Sequence, residues 1–371
     1  MTEPYDPQFA KRLMHWHKSH GRHDLPWQRS HDPYRVWVSE IMLQQTQVAS
    51  VVPYFERFVE RFPDVASLAA ADVDDVLASW SGLGYYQRAR NLHAAAQIVV
   101  REYRGVLPQE PTRLADLPGI GRSTAGAIAA LAFGERAAIL DGNVKRVLSR
   151  YFGIEGYPGT RVIEARLWAI ADRLLPEHDV AVYTQALMDL GAIVCRPAAP
   201  NCAVCPLSER CIAHRDGRTH SLPSPRPLRQ RPEQNRYLVC LWHGDRVLLE
   251  HRPPSGVWGG LLSLPEMPET RRLDMASWCA QTLGCEIDAV SELPAIRHEL
   301  THFRMHLIPL VATVIGQRPH VAEASRFVWQ HRESLSARAL PAPIRRLLLG
   351  MTPDRTLTAP IDPCPRDPPS A

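Results

Sequence analysis

Apolar residues recur at helical spacing through residues 1–215 of the chain. The repeats are interrupted where Gly or Pro occurs, as in Arg61-Phe-Pro63, Trp80-Ser-Gly82 and Gly105-Val-Leu-Pro108. This period is that of amphipathic helices, and Gly and Pro are the residues that most often end them. The pattern predicts roughly ten short helices and no strand in this part of the chain.

The pattern changes in the C-terminal part. Residues 216–235 are rich in Pro and Arg and lack an apolar period, which predicts a semi-extended linker. Beyond it the period falls to two, and Tyr237–Trp242 and Arg246–His251 flank a short polar turn, as in a β-hairpin. Met305 and Leu307 alternate with polar residues in a further predicted strand, and Leu273–Leu283 is predicted to be a helix that ends at Gly284.

These patterns predict a multidomain fold of the α and α+β classes. An all-helical domain covers residues 1–215, a smaller α+β domain covers 236–350, and the proline-rich residues 351–371 are expected to be a disordered tail. No apolar run is long enough to span a membrane, and the first residues show no secretory signal, so we expect a cytoplasmic protein. The net charge of +4 permits nucleic-acid binding without requiring it.

Four of the eight cysteines cluster with the spacing C-x6-C-x2-C-x5-C, at Cys195, Cys202, Cys205 and Cys211. Thiolates bind soft metals, and in a cytosolic protein such a group indicates a metal site rather than disulfides. Zinc sites more usually show two matched C-x2-C pairs, so the uneven spacing favours an iron–sulfur cluster on the loop 195–211. Zinc and plain buried cysteines are the alternatives.

The stretch Leu117-Pro-Gly-Ile-Gly-Arg-Ser-Thr124 places two glycines in a short turn that opens into a helix. Such a turn presents backbone N–H groups to an anion, and DNA phosphate is one candidate. About twenty residues on, Asp141 begins the next predicted helix, where a helix N-cap is the alternative role for it.

A second carboxylate lies on a predicted helix from Tyr34 to Val48, where Glu40, Gln44 and Gln47 would share one face. A solvated face is the alternative, but uncharged glutamines beside one glutamate are unusual there. A glutamate among apolar and amide neighbours has a raised pKa, as a general acid needs. Glu40 and Asp141 together would form the carboxylate pair that cleavage of a glycosidic bond requires.

Paired tyrosines follow glycines in Trp80-Ser-Gly-Leu-Gly-Tyr-Tyr-Gln-Arg-Ala-Arg90. Aromatic and basic residues interleaved on a tight turn suit a wedge inserted into a base stack, with Arg88 and Arg90 on phosphates. A loop that caps the core is the alternative.

Taken together, these motifs resemble the adenine DNA glycosylase (MutY) family of the helix-hairpin-helix, endonuclease III-like superfamily. The resemblance runs from about residue 10 to about residue 215, through the motifs above and Leu25-Pro-Trp27. It implies a helix-hairpin-helix at about 112–134, a 4Fe–4S cluster on the four cysteines, and double-stranded DNA as partner. The substrate it implies is an adenine mispaired with 8-oxoguanine or guanine and flipped out of the duplex, as base chemistry requires. We expect a monomer.

The resemblance also implies the roles of individual residues. By analogy Glu40 protonates adenine at N7 and later activates water, Asp141 stabilises the sugar cation or captures it covalently, and Asn143 orients these groups. Tyr85 resembles the wedge beside 8-oxoguanine, and Gln44 helps fill the space left by the flipped base. Further positions are implied in the DNA-binding hairpin and in the adenine pocket, namely Gly119, Gly121, Ser123, Arg22, Trp27 and Gln185.

The family carries a Nudix-like module at its C-terminus, and Arg252-Pro-Pro-Ser-Gly-Val-Trp-Gly-Gly260 looks like its opening segment. The module reads 8-oxoguanine through a Phe-Ser-His loop, where this chain has Leu300-Thr-His302 followed by Phe303. Thr301 and His302 are therefore expected to recognise 8-oxoguanine by hydrogen bonds, while the aromatic contact moves or is lost.

Three alternatives compete with this interpretation. A bifunctional, endonuclease III-like glycosylase and lyase would carry a lysine nucleophile where Ser123 stands, and Lys145 is the only lysine near the site. A Nudix nucleotide hydrolase would need an acidic metal-binding helix, but Arg271–Gln281 contains one acidic residue. A non-catalytic iron–sulfur DNA-binding protein would need neither Glu40 nor Asp141.

Overall fold

The computed structural model describes residues 4–227, 231–253, 255–300, 303–317 and 326–352. Thr301 and His302, and nearly all of the predicted tail, lie outside the described residues. Contacts divide the chain into two units: one holds the described residues within Met1–Ala71 and Asn91–Leu228, the other those within Asp72–Arg90 and Arg229–Pro368. Residues 72–90 therefore group with the C-terminal part, whereas the sequence analysis assigns them to the helical domain.

The first unit is helical, and its described residues contain no strand. Its helices are α1 (Phe9–His20), α2 (Pro33–Leu43), α3 (Val48–Arg61), α4 (Val65–Ala70), α6 from Asn91 onward (Gln87–Tyr103 in full), α7 (Pro111–Ala115), α8 (Arg122–Phe133), α9 (Gly142–Tyr151), α10 (Arg161–Leu174), α11 (Val180–Asp189) and α12 (Ile212–Arg215). Short 3-10 turns occur at Pro26–Gln28, Cys202–Val204 and Ser208–Arg210, and α11 continues as a π-helical turn, Leu190–Val194.

One apolar cluster joins the helices that carry the candidate chemistry. Phe9 and Leu13 of α1 pack with Val147 and Leu148 of α9, and with side chains of α8, α10 and α11. Burial of these side chains stabilises the unit, because removal of apolar surface from water is the main favourable contribution to folding. The same packing fixes the N-terminal end of α9, where Asp141 lies.

The predicted single helix from Tyr34 to Val48 is wrong. Helix α2 ends at Leu43, Gln45 adopts a φ of 55°, and α3 begins at Val48 with Gln47 as its N-cap. No side chain in the run from Gln44 to Gln47 is apolar, so a continued helix would bury no further apolar surface there. Glu40, Gln44 and Gln47 therefore do not share one helical face.

The predicted hairpin is formed by α7, the turn after Leu117, and α8. Gly119 has a φ of 81°, and a Cβ on it would lie 2.8 Å from Asn91 Cβ, so both its conformation and its surroundings require glycine. Gly126, on the buried face of α8, allows the chain before Asp141 to approach closely, because a Cβ there would lie 2.3 Å from Ala138 O. The sequence analysis missed Gly126.

The second unit contains α5 (Val73–Trp80), the segment that follows it up to Arg90, and the C-terminal sheet. Its strands are β1 (Glu233–His243), β2 (Arg246–His251), β3 (Leu262–Ser263), β4 (Glu266–Met267), β5 (Cys285–Ile287), β6 (Ser291–Glu292), β7 (Ile296–Glu299), β8 (Arg304–Gln317) and β9 (Phe327–His331). The main path of the sheet is β3-β2-β1-β8-β5, with β1 and β8 parallel from Glu233↔Arg304 to Trp242↔Thr313.

The predicted hairpin and strand of this unit are confirmed. Strands β1 and β2 pair antiparallel with His243 opposite Arg246, and Met305 and Leu307 are buried in β8. The predicted helix over Leu273–Leu283 is built from three kinds of helical turn: 3-10 at Glu269–Asp274, α13 (Met275–Trp278) and π at Cys279–Leu283. It ends at Gly284, as predicted.

Strand β1 buries both of its faces. Leu238, Cys240 and Trp242 pack in one apolar cluster with helix α14 (Ala342–Gly350). The alternate residues Tyr237, Val239 and Leu241 pack in a second cluster with α13 and the π turn. Because side chains of a strand alternate between faces, this sheet is covered by helices on both sides.

Where the sequence predicts a linker, part of the chain is held by hydrogen bonds. Leu222 is buried and its carbonyl accepts a hydrogen bond from Arg150 Nε at 2.8 Å, while β1 begins at Glu233. Among the described residues, every helix is too short or too polar to cross a membrane.

Substitution of Gly126 by Ala is expected to lower the free energy of unfolding of the first unit by about 1–3 kcal/mol, because the added methyl group overlaps Ala138 O. The matched control is Gly121→Ala, since Gly121 has a φ of −85° and open space where a Cβ would lie. Urea denaturation followed by circular dichroism measures both. Equal stability of the two variants would contradict the close packing proposed for α8.

Candidate active site

Two carboxyl groups on separate helices interact at the centre of the first unit. Glu40 lies in the last turn of α2, and Asp141 is the N-cap of α9, with its Oδ1 accepting a hydrogen bond from Val144 N at 2.7 Å. Both residues are half-buried, and the charge of Asp141 raises the pKa of Glu40. The N-cap alternative for Asp141 is thus also correct, and it does not exclude a chemical role.

The surroundings of the two carboxyl groups act differently on their pKa values. Burial, and then the charge of Asp141, raise the pKa of Glu40 to about 8. Burial also raises the pKa of Asp141, but four groups oppose that rise by stabilising the carboxylate. These are the backbone N–H of Val144, the guanidinium of Arg146, the backbone N–H of Asn143 and the ammonium of Lys145. The pKa of Asp141 stays raised overall, but its carboxylate has these donors and cations beside it, whereas burial and a neighbouring negative charge both favour the protonated form of Glu40.

Asn143 is held by an arginine that the sequence analysis did not identify. Arg146 is 3% exposed, and its Nη2 donates to Asn143 Oδ1 at 2.7 Å and to Gly191 O at 2.9 Å. Its Nε donates to Cys195 O at 2.8 Å. One buried guanidinium thus joins the start of α9 to the chain that leads into the cysteine loop.

The hairpin contacts both regions that carry the carboxyl groups. Gln44, just after α2, donates through Nε2 to Gly119 O at 3.3 Å and to Thr124 Oγ1 at 3.2 Å. Ser123 Oγ accepts a hydrogen bond from Leu140 N at 2.9 Å, directly before Asp141. Gly121 is the N-cap of α8 and has open space beside it. The hairpin therefore fixes the backbone on which the carboxyl groups depend.

Two of the three residues implied for an adenine pocket converge on one buried carboxylate. Asp189 is fully buried, and it accepts hydrogen bonds from Arg22 N at 2.7 Å, Arg22 Nη2 at 2.7 Å and Gln185 Nε2 at 2.9 Å. Burial alone would raise the pKa of Asp189, but hydrogen bonds from His17 and Arg22 more than offset this effect and lower it. Trp27 lies apart from this group, buried at 5% exposure with its ring edge against Phe55.

The four clustered cysteines are free and half-buried. The thiols of Cys195, Cys202 and Cys211 all interact electrostatically with Cys205, whose pKa burial raises to about 12. Buried Arg150 donates to Cys195 Sγ at 3.3 Å and to Arg196 O at 2.8 Å. The loop therefore brings four soft donors together beside a buried cation.

In the second unit, Tyr85 lies at the tip of the segment after α5, with 37% of its surface exposed and a φ of 50°. The guanidinium groups of Arg88 and Arg90, for which phosphate contacts are predicted, both bind protein carbonyls. Arg88 is 8% exposed and donates to Leu83 O and Gly84 O, and Arg90, which is half-buried, donates to Gly259 O. Burial of Arg88 against the polypeptide leaves it poorly placed for phosphate, so its predicted contact is wrong, while that of Arg90 stays a prediction.

Comparison with known proteins finds two matching domain families and similar adenine DNA glycosylases. Residues 38–173 match the HhH-GPD superfamily base excision DNA repair protein family, and residues 236–350 match the NUDIX domain. An adenine DNA glycosylase of Buchnera aphidicola is 35% identical over 92% of this chain and 96% of its own length. The human adenine DNA glycosylase is 30% identical over 91% of this chain and 73% of its own length.

The chain belongs to the adenine DNA glycosylase family.

A solved structure of a thermostable thymine-DNA glycosylase is also similar, with a TM-score of 0.52 and 30% identity over 56% of this chain and 95% of that protein. The predicted fold class of a helix-hairpin-helix domain followed by a Nudix-like domain is confirmed by these matches. In this member of the adenine DNA glycosylase family, the matched helical region contains both Glu40 and Asp141.

The residues that sequence reasoning missed are those that hold the named ones in place. Asp189 and Arg146 act through buried contacts with residues distant along the chain, and neither lies in a motif with its own chemical signature. One signal was available: Arg146 and Arg150 lie four residues apart on a helix that packs in the core, and a buried arginine needs acceptors. The sequence motifs therefore identify the candidate reacting groups and do not identify the residues that hold them.

Substitution of Glu40 by Gln is expected to stabilise the protein by on the order of 1–2 kcal/mol at pH 7. Folded Glu40 has a pKa of about 8 against an ordinary 4.5, so the wild type loses stability as pH rises between these values, and the neutral amide does not. The gain should vanish below pH 4.5. Thermal denaturation across this pH range measures it.

The control for this variant is Glu60→Gln, because Glu60 is exposed on α3 and its replacement should change stability by less than about 0.5 kcal/mol. A destabilised Glu40→Gln protein at pH 7 would contradict the neutral, buried carboxyl group assigned to Glu40.

Proposed function

We propose that this chain is a monofunctional adenine DNA glycosylase that hydrolyses the N-glycosidic bond of adenine mispaired with 8-oxoguanine or guanine. The observation that carries the proposal is the interacting pair of Glu40 and Asp141, in which the first carboxyl group is protonated and the second is surrounded by donors and cations. Family membership supports adenine as the base that is removed.

The pair supplies the two functions that glycosidic cleavage requires. Protonated Glu40 donates its proton to N7 of adenine, and the electron pair of the bond between C1′ and N9 leaves with the base. Asp141, ionised, stabilises the positive charge that develops on the sugar. Water then attacks C1′ and gives a proton back to the Glu40 carboxylate, so that the acid is restored and the strand keeps an abasic site.

Asn143 acts in this scheme as the residue that orients the pair. Its side-chain oxygen is occupied by Arg146, which leaves the amide N–H groups as its donors. It also follows Asp141 at the start of α9, where the helix N-terminus favours negative charge. The surroundings therefore stabilise the ionised form of Asp141 more than that of Glu40.

Arg22 and Gln185, both held by Asp189, are proposed to bind the edge of the extruded adenine, and Trp27, packed on Phe55, is proposed as a separate part of the pocket. Extrusion of the base costs a few kcal/mol, less at a mismatch than at a matched pair. Gln44 is proposed to occupy the space left in the duplex, since it extends from the break after α2 to the hairpin. Gly119, Gly121 and Ser123 are proposed to bind the DNA backbone.

On the opposite strand, the exposed ring of Tyr85 is proposed to insert beside 8-oxoguanine, as aromatic wedges do in other DNA-bending proteins. Thr301 and His302 remain proposed hydrogen-bonding residues for that base. Leu300 and Phe303 pack against the apolar cluster of the second unit. An aromatic contact from position 300 is absent from the sequence, so Tyr85 carries more of the recognition.

The absence of strand cleavage follows from the groups near the pair. Ser123 stands where a lyase would carry its lysine, and its oxygen accepts a hydrogen bond from Leu140 N. Lys145 is held in an ion pair with Glu164, with 2.6 Å between Nζ and Oε1. No other lysine lies in the sequence beyond Lys18, so a Schiff base has no ready nucleophile.

The four cysteines are proposed to hold a 4Fe–4S cluster. Arg146 Nη1 is buried and has no hydrogen-bond partner within the described part of the chain, and the charge of Cys195 acts on this guanidinium. Anionic thiolates would balance it and Arg150. The uneven spacing of the four cysteines favours this cluster over zinc, whose sites more usually show two matched C-x2-C pairs. When bound, the cluster would tie the loop together through thiolate bonds.

Single-turnover reactions should release adenine from duplexes with an A:8-oxoguanine pair, and Glu40→Gln should abolish the release. The rate should fall above a pH of about 8, because deprotonated Glu40 can no longer donate to N7. Strands should break only after alkali treatment. Normal release by Glu40→Gln would refute the general-acid role, and a borohydride-trapped adduct would instead favour the bifunctional alternative.

The purified protein should be coloured and contain about four iron atoms per chain. Cys211→Ser should lower the iron content and the visible absorption, whereas the control Cys279→Ser, a buried cysteine of the second unit, should leave both unchanged. Elemental analysis that finds one zinc and no iron would overturn this proposal.

A further inference from the structure

The segment that carries Tyr85 is built into the second unit. Residues 72–90 group by their contacts with the C-terminal part of the chain, although they precede it by more than a hundred residues. Its anchoring contacts come from two separate regions of that part, the strand-to-helix segment around Leu340 and the loop around Gly259. Both anchors lie within a few residues of Tyr85.

The first anchor is formed by Ser81 and Tyr86, which lie on either side of Tyr85. Ser81 Oγ donates to Leu340 O at 3.3 Å, and Tyr86 OH donates to the same carbonyl at 3.3 Å. Arg345 Nη2 donates to Ser81 Oγ at 2.8 Å. The bond from Tyr86 is buried, because Tyr86 is 9% exposed and Leu340 is fully buried, and a bond away from water holds its geometry best.

The second anchor lies at the end of the segment. Arg90 Nη1 donates to Gly259 O, and Nη2 donates to Gln87 Oε1 at 3.1 Å. The next residue, Gly260, has a φ of 72°, and a Cβ on it would lie 2.6 Å from Arg90 Nη1. The positive φ at Gly260 favours glycine there, and a Cβ would require the end of the Arg90 side chain to shift.

Between Ser81 and Tyr86 of the first anchor, the backbone is folded into a conformation that few residues adopt. Gly82, Gly84 and Tyr85 have φ values of 104°, 76° and 50°. For tyrosine this region is unfavourable, so the surroundings have to hold it there. Trp80 Nε1 donates to Gly84 O at 3.1 Å, and Arg88 donates to the same carbonyl at 3.2 Å while its guanidinium lies 5.4 Å from the Tyr85 ring centre.

The Gly259 loop also faces the strand that leads towards the predicted 8-oxoguanine contacts. Trp258, with a φ of 55°, has its ring 5.7 Å from the ring of His298 on β7. Trp258 and Leu300 pack against the same apolar cluster. A single loop thus contacts the Tyr85 segment through Gly259 and the strand before residue 300 through Trp258.

We propose that Arg90, Ser81, Tyr86 and Arg345 are positioning residues that make the Tyr85 wedge part of the C-terminal recognition domain. This inference rests on the proposed function, because it assigns Tyr85 to the base opposite the adenine. With both anchors intact, the wedge is ordered before DNA binds. Without an anchor, the segment must be ordered during binding, and the discrimination between 8-oxoguanine and guanine falls.

The test compares Arg90→Ala with wild type on duplexes carrying A:8-oxoguanine and A:guanine, with enzyme concentration varied under single-turnover conditions. The apparent affinity for the A:8-oxoguanine duplex should fall about five- to tenfold, the loss expected when one or two side chains must be ordered on binding. The affinity for the A:guanine duplex should fall less, because the Tyr85 ring is proposed to contact 8-oxoguanine, so the ratio of the two affinities falls. The maximal rate should change less than this ratio. Gly260→Ala, which changes the residue next to the carbonyl acceptor of Arg90, should lower the same ratio of affinities. Arg90→Lys should lower that ratio less than Arg90→Ala does.

A double-mutant cycle shows whether Arg90 acts through Tyr85. In a Tyr85→Ala background, Arg90→Ala should change the ratio less than about twofold. Arg101→Ala is the matched control, because Arg101 lies further along the same helix and is exposed in an ion pair with Glu102. Additive effects of Arg90 and Tyr85, or equal losses on both duplexes, would overturn the proposal.

Amide hydrogen exchange gives a readout that does not depend on catalysis. Exchange at residues 82–86 should become faster in Arg90→Ala and in Arg345→Ala, and stay unchanged in Arg101→Ala. Unchanged exchange in the first two variants would contradict the anchoring itself. If exchange responds but the wild type releases no adenine, the anchoring stands and the proposed function fails.

Discussion

The proximity of two half-buried carboxyl groups is the constraint on which the helical unit depends. Partial burial and mutual repulsion make it costly to ionise both, so the protonated form of Glu40 is favoured and Asp141 is surrounded by donors. Asp141 gains its donors by standing at the start of α9, and that position requires the close packing of the preceding chain on α8 at Gly126. The hairpin, buried Arg146 and the N-terminal end of α9 together maintain the difference in protonation between Glu40 and Asp141.

The same logic extends to the adenine-pocket candidates. Asp189 is a fully buried anion that is tolerable only because His17, Arg22 and Gln185 surround it. In return, it fixes the side chains of Arg22 and Gln185, which otherwise have many rotamers. A pocket built in this way recognises a base with donors whose directions are set in advance, which is how a polar site gains specificity at low entropic cost.

Much of this arrangement could be predicted from the sequence, because periodicity and short motifs depend on local spacing. The helical and sheet-containing parts, the β1–β2 hairpin, the helix before Gly284 and the carboxylate pair all follow from local patterns. The break after Leu43 did not, because helix continuation depends on burial that a polar run does not reveal. The roles of Arg88, Arg90 and Arg146 were also inaccessible, since an arginine on carbonyls and an arginine on phosphates look alike in sequence.

The grouping of residues 72–90 with the C-terminal part has a consequence for synthesis of the chain. A ribosome makes Ser81 long before its partners, which lie 259 and 264 positions later, and Arg90 precedes Gly259 by 169. Domains generally fold in the order in which they emerge, so the segment must wait unanchored while the helical unit folds around its own core. A chain truncated before Leu340 would keep both carboxyl groups and lack one anchor of the wedge. Under the function proposed above, incomplete chains would keep the two candidate catalytic carboxyl groups and lose one attachment of the Tyr85 segment, so that removal of such chains would protect recognition of the mispair.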